Sequence, residues 1–432
     1  MSAPAELFAV VVEGTAEFDA LLAKLGRRGE SDLARVEPAV REILEAVRGG
    51  GDRALATLVE RFEGRRPERF FVRDYGGAAA LAGLPAAVRD ALERASARIR
   101  RYHERQREGL FGFEYEEEGV RLGSRVLPIE RVGVYVPGGK ARYPSSVLMS
   151  AIPAAVAGVA DIIVASPDTS AEVRAACHLA GVHALLDAGG AQAIGALAYG
   201  TESVPRVSKI VGPGNIFVAA AKRLVFGEVA IDSIAGPSEI LVVADDSADA
   251  AIIAADLLSQ AEHDEAAYPL LVTTSRALVD AVRSELSRQL ATQPRRRIAE
   301  ISLREHGAAL VVRSPERLSA VAHELAVEHV AVQTHEPRRT ADAIRAAGAL
   351  FVGSNTPEAA GDYLAGPSHV LPTGGAARYA SPLGVYDFVA RSSIIEYTRE
   401  ALAAQSEAIA AFARAEGLEA HARAVEIRTS KS

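Results

Sequence analysis

A chain of 432 residues is longer than one hydrophobic core usually organises, so two or more domains are expected. With 49% hydrophobic and 24% charged residues it has a globular composition, and a formal net charge of -8 leaves no electrostatic footprint for nucleic acid or an anionic membrane. One cysteine, Cys177, excludes an internal disulfide framework and suits the cytoplasm.

The opening MSAPAELFAVVVEG has neither the basic region nor the apolar length of a signal peptide, and residues 1–27 read as an N-terminal extension. The basic runs Arg27-Arg28 and Arg295–Arg297 read as solvated surface. LARVEPAVREILEAVRGGGDRALATLVERF and LPAAVRDALERASARIRRYHERQ carry apolar residues at three- and four-residue spacing, which predicts helices, the first interrupted at Gly49–Gly51. His103, among charges in RRYHERQ, reads as exposed. EYEEEGVRLGSRVLPIERVGVYV alternates and predicts strands with a hairpin.

From Arg131, short β-branched runs alternate with Ala-rich helical stretches. RVGVYV (131–136), DIIVA (161–165), HALLDA (183–188), SKIV (208–211) and EVAID (228–232) form one series of strands. EILVVAD (239–245), PLLVTTS (269–275), AALVVR (308–313), HVAVQT (329–334) and ALFVG (349–353) form a second. Such alternation predicts an α/β protein of two parallel-sheet units covered by helices, with the break at AGPSE, 235–239. The most membrane-like segment begins at Val147, but Pro153 and Asp161 interrupt it short of a span. A helical segment closes the chain.

In LLSQAEHDEAA, Gln260 and His263 continue an apolar helix face where a polar group must find a partner. They read either as a helix end bonded to a loop or as two metal ligands spaced i, i+3. Glu328 and His329 place a carboxylate beside an imidazole at the entrance to a strand. Both side chains reach one site only if the backbone turns there; otherwise they are a surface Glu beside a packed His. His369 follows Asp362 by seven residues, and His421 follows Glu416 by five. GPGN (212–215), VPGGK (136–140) and DAGGAQ (187–192) end strands of the first series. They read either as plain turns or as a nucleotide or anion crevice, in which the helix after GPGN would present free backbone N–H groups. None fits the G-x-G-x-x-G fingerprint. Cys177 has no nearby charge to lower its pKa and reads as packing.

Taken together, VGVYVPGG, AGGAQAIGALAYGT, KIVGPGN, DSIAGPSEILVVAD, LLSQAEHD, GDYLAGPSHVLPT and EGLEAHARAVEIR resemble the histidinol dehydrogenase family, in order, over about residues 30 to 428. The resemblance implies two incomplete Rossmann-like units with helical N- and C-terminal extensions. It divides the chain into 1–27, a first domain of 28–133 plus 239–383, an NAD-contacting domain of 134–238, and a C-terminal helical segment of 384–432 that completes the site of a neighbouring subunit in a homodimer. It implies one zinc ion per subunit on Gln260, His263, Asp362 and His421, and Glu328 with His329 as the acid–base pair. Ser238, His369 and Glu416 would hold the substrate L-histidinol together with His329 and the zinc ligands, and Tyr135, Gln192 and Asn215 would contact NAD. The implied reaction is the four-electron oxidation of L-histidinol to L-histidine through L-histidinal with two NAD, the last steps of histidine biosynthesis. A paralogue acting on another polar alcohol, such as a sulfonated diol, is the alternative. The chain departs from the family at Val327, where Pro is usual, and at Pro367-Ser368, where Thr-Asn is usual, which bears on loop rigidity.

Overall fold

Near-continuous apolar strands need cover on both faces, and this chain provides it twice. The computed structural model describes residues 7–28, 33–138 and 143–430. Six parallel strands form the first sheet, in the order Ala9–Val12, Ala308–Val311, Tyr268–Thr273, Glu239–Ala244, His329–Gln333, Ala349–Val352. Ile253, Leu257, Val282 and Leu303, from helices Ala250–Ala261, Arg276–Leu290 and Arg296–His306, fill one face. Phe18, Leu318, Val321 and Leu325, from helices Ala16–Gly26 and Pro315–Leu325, fill the other.

The second sheet runs Phe71–Val72, Ala184–Leu186, Asp161–Ala165, Arg131–Tyr135, Lys209–Val211, Ala230–Ile231, and only its short first strand is antiparallel. Helices Leu33–Glu63, Gly190–Tyr199 and Ile216–Val225 cover one side; Ala86–Glu108, Pro144–Ala157 and Ala171–Ala180 cover the other. The long helix Leu33–Glu63 breaks at Gly51, whose φ of 50° lies in the left-handed region that glycine adopts without strain. Pro144–Ala157, the most membrane-like stretch, is a core helix, and no helix among the described residues is long and apolar enough to cross a membrane.

Four expectations are corrected. The helices between residues 33 and 108 cover the second sheet, not the first, and Arg131–Tyr135 lies inside that second sheet. Val40, Leu44 and Val47 join the core of Ile194, Leu197 and Val218, while Leu92 and Ile99 join that of Met149 and Ile152. Periodicity reveals an apolar stripe but not the sheet it will cover. The N-terminal extension contributes an edge strand, Ala9–Val12, to the first sheet. His103 is fully buried, with Nδ1 bonded to the Ile99 carbonyl at 2.8 Å, because its helix is packed against Pro144–Ala157 and the segment Val385–Phe388. The C-terminal segment is not all helix. Val389–Tyr397 pairs antiparallel with Val120–Pro128, which pairs in turn with Phe113–Glu117. This small sheet carries a helical hairpin, Arg399–Ala415 and Glu419–Thr429, whose side chains are mostly exposed.

Candidate active site

Glu328 and His329 reach the same side because the chain bends before they enter the strand. Ala326 has φ 47°, in the left-handed region, and His329 is the first strand residue, in register with Ile240. One Glu328 oxygen accepts the Glu239 N–H at 2.9 Å and lies 3.5 Å from His329 Nδ1. Nδ1 is also 3.0 Å from the Glu239 carbonyl, which can only accept, so the proton sits on Nδ1. Among the described residues His329 Nε2 has no hydrogen-bond partner, and it lies 3.7 Å from Glu358 Oε1. Burial works against an imidazolium here, but the charges of Glu358 and Glu328 outweigh it and raise the histidine's pKa.

Arg28, read from the sequence as solvated, is buried and paired with the buried Glu239 at 2.8 Å. The N-terminal helix packs on the first sheet, which brings its end beneath the strand entrances.

A carboxylate cluster faces the pair. Glu358 and Asp362 stand four residues apart on helix Glu358–Tyr363, so both project from one side. Ligand atoms of His329, Glu358 and Asp362 all lie within 4.8 Å of one another. With its amide nitrogen turned to the carboxylate, Gln260 donates to Glu358 at 2.7 and 3.2 Å. Burial raises the Glu358 pKa, with His329 opposing. Burial acts the same way on Asp362, but His369, whose Nδ1 is 3.6 Å from Asp362, holds that carboxyl below its usual range. Sequence reasoning missed Glu358; its signal was the i, i+4 spacing to Asp362 in PEAAGDY.

One turn before Gln260, Asp256 accepts from Gln333 at 2.6 Å, and burial pushes its carboxyl up to about 6. A carboxyl whose folded pKa exceeds its unfolded one binds its proton more tightly when folded. That stabilisation is complete below the unfolded value of 3.8 and is lost as pH rises through about 6. Asp256→Asn, which cannot ionise, should therefore gain on the wild type by roughly 2–3 kcal/mol between pH 4 and 8. Urea unfolding in chelator checks this, and a pH-independent difference would refute it.

The remaining expected residues divide. Ser238 directly precedes Glu239, and its carbonyl accepts the Tyr268 N–H at 2.9 Å. His263 lies in the turn after the helix, its N–H on the Gln260 carbonyl, and the residue is open to solvent on one side in the single chain. The atoms packed around His263 lower its pKa, and the charges of Asp362 and Glu328 oppose them. Glu416 and His421 sit on the exposed C-terminal hairpin and, among the described residues, form no hydrogen bond or ion pair with the cluster. Among the described residues, the ligand atoms of His263 and His421 do not join the close group of His329, Glu358 and Asp362, so the four-residue metal set is not assembled within one chain.

Tyr135, Gln192 and Asn215 meet elsewhere, around a crevice of about 810 Å³ at the carboxyl ends of the second sheet. Strands Arg131–Tyr135 and Lys209–Val211 flank the point where strand order reverses, the usual crevice of open α/β sheets. The Tyr135 hydroxyl accepts the Gly190 N–H at 3.0 Å; Glu63 accepts from Gly189 N–H at 2.9 Å and from the Gln192 amide at 3.3 Å. At GPGN the backbone donors are less free than the sequence suggests. Asn215 caps the N–H groups of Phe217 and Val218 at 3.0 and 3.2 Å, and Gly212 N–H binds Asp232 at 2.7 Å. Gly212 has φ 109°, and a Cβ there would lie 2.2 Å from the Tyr135 carbonyl, so only glycine fits. Gly139 and Lys140 of VPGGK lie outside the described residues.

A sequence model of the family described as histidinol dehydrogenase matches residues 26–429. The chain belongs to the histidinol dehydrogenase family. It is 51% identical over 422 residues to the histidinol dehydrogenase of Syntrophotalea carbinolica, covering 96% of this chain and 98% of that protein. With that of Aquifex aeolicus it shares 49% over 406 residues, 94% of this chain and 95% of the relative. The crystal structure of histidinol dehydrogenase from Elizabethkingia anophelis superposes with a TM-score of 0.91 at 32% identity, covering 99% of both chains.

The positions read from the sequence as departures from the family are held locally. Val327 is fully buried in the core of the first sheet. Ser368 donates to the Met149 carbonyl at 3.1 Å and accepts the Val370 N–H at 3.2 Å, so the loop carrying His369 is tied to helix Pro144–Ala157.

Proposed function

We propose that this oxidoreductase converts L-histidinol to L-histidine through L-histidinal, passing one hydride to each of two NAD molecules in turn. The observation that carries the reading is His329: its Nδ1 is committed as a donor, and its partnerless Nε2 faces the carboxylate cluster. A cationic substrate would offset the carboxylate charges that raise this ring's pKa, leaving that nitrogen unprotonated to take the hydroxyl proton as the first hydride leaves. Water supplies the second oxygen, and Glu328 would draw a proton from it as the aldehyde hydrates; the second hydride then leaves the hydrate. The overall change consumes one water and releases two NADH and three protons.

The donors fit zinc. A carboxylate, imidazoles and an amide oxygen form the mixed O and N set this ion accepts, and Gln260, with its nitrogen on Glu358, has its oxygen left to offer. Gln260, His263 and Asp362 would hold the ion, with His421 coming from a second copy of the chain. Zinc, when bound, supplies an electrostatic anchor for the amine and imidazole of the substrate. Ser238, His369 and the second copy's Glu416 would line the substrate's other side. Tyr135, Gln192 and Asn215 would contact NAD. The crowd of carboxylates favours a cationic amino alcohol and repels the anionic sulfonate of the alternative substrate.

Many aldehyde oxidations pass through a cysteine adduct. Cys177 is fully buried on helix Ala171–Ala180 and burial pushes its thiol pKa up, so it cannot serve. Cys177→Ala should leave turnover within about 2-fold of wild type, since packing substitutions act on stability and not on the reacting groups. Loss of activity in a folded variant would overturn the water route. A lone buried thiol also fits the cytoplasmic setting we assign.

The direct test counts NADH per histidinol by absorbance. Two per substrate, abolished by a chelator and restored by zinc, is the expected result; one or none refutes the proposal.

A further inference from the structure

Beneath the acid–base pair lies Glu239, 1% exposed and the first residue of one of the two central strands of the first sheet. Its carboxylate accepts four donors: Arg28 Nε at 2.9 Å, Arg28 Nη2 at 2.8 Å, Gly374 N–H at 2.7 Å and Glu328 N–H at 3.2 Å. Its main chain holds the pair directly, through the N–H on the Glu328 carboxylate and the carbonyl on His329 Nδ1. Arg28 uses its other donors on the carbonyls of Leu25 and Leu325 at 2.9 and 2.8 Å and, more distantly, Ala326 at 3.4 Å. Ala326 is the left-handed residue of the bend that delivers Glu328 and His329 to one side, and Leu325 ends the helix just before it.

We infer that Glu239, with Arg28 as its counter-ion, is the positioning residue that fixes the orientation of Glu328 and the tautomer of His329. The inference rests on the acid–base roles proposed for that pair. Glu239 does not reach the site itself. It acts by locking three backbone segments, the entrances to two adjacent strands and the loop at Gly374, around a single saturated carboxylate. A buried ion pair is poor evidence for stability alone, because hydrophobic groups of similar shape often do as well. Apolar substitutes would leave the Glu328 and Gly374 N–H groups unbonded and free the strand entrances to drift.

Every group facing this carboxylate is a donor, so in Glu239→Gln the new amide N–H₂ must oppose one of them. A displacement of about an ångström at reacting groups can cost about 10²-fold in rate. We therefore expect kcat for histidinol to fall by about 10²-fold with KM for NAD nearly unchanged. The imidazole ¹⁵N signals of His329, assigned by their loss in His329→Gln and recorded at a pH where the ring carries a single proton, should show one Nδ1–H tautomer in the wild type and a mixture in Glu239→Gln. A fall in kcat with the wild-type tautomer retained would reduce Glu239 to a structural part and overturn the inference, as would wild-type kcat. Should Glu239→Gln not fold, Arg28→Lys keeps the charge and loses the fork, and the same two readouts apply with the same expected directions. If the wild type makes no NADH from histidinol, the proposed function fails; the tautomer measurement then decides the positioning role by itself.

Discussion

Glu328→Gln should retain most of the first oxidation and lose the second by about 10²–10⁴-fold, the usual worth of a general base. The substitution is nearly isosteric, and the amide oxygen can still accept the Glu239 N–H that holds this side chain at 2.9 Å, so His329 should stay in place. What disappears is the group proposed to take a proton from water. The alcohol oxidation is assigned to His329 Nε2, which should keep its place while the loss of one neighbouring negative charge lowers the ring's pKa. Single-turnover NADH formation, started once from histidinol and once from histidinal, separates the halves. Equal losses in both would show that Glu328 and His329 do not divide the proton transfers as proposed.

Neither His421→Ala nor His263→Ala should turn over alone, yet the two mixed should recover about a quarter of wild-type activity. If His421 serves the neighbour's site, each homodimer lacks a ligand at both sites, while a mixed dimer has one intact site and one doubly damaged. Random exchange makes half the dimers mixed, and half their sites intact, which gives about one quarter. The structure motivates the test: Asp362 belongs to the His329 cluster and Gln260 borders it, whereas His421 lies on an exposed hairpin that, among the described residues, makes no bond to it. That hairpin and its supporting sheet also present Ile395, Phe412, Leu418 and Ile427 to solvent. Full subunit exchange with no recovered activity would place His421 outside the neighbour's site.

The sequence by itself determined the strand–helix alternation, the two parallel sheets, the buried inert thiol and the polar residues that stand out against apolar patterns, because each is written in local periodicity or composition. Gln260 was legible for that reason, as an amide where a leucine should pack. Tertiary structure alone decided the rest. The helices between residues 33 and 108 could have covered either sheet, since an apolar stripe does not name its partner. Arg28 looked solvated beside Arg27, and Glu239 looked like a strand residue. Their bond joins positions 211 residues apart, and a buried charge pair leaves no trace in the pattern around either member. Glu358 was passed over because a carboxylate on a short helix is ordinary until the fold sets it against a histidine. Side chains distant in sequence become a site only where packing brings them together, and that depends on the whole core.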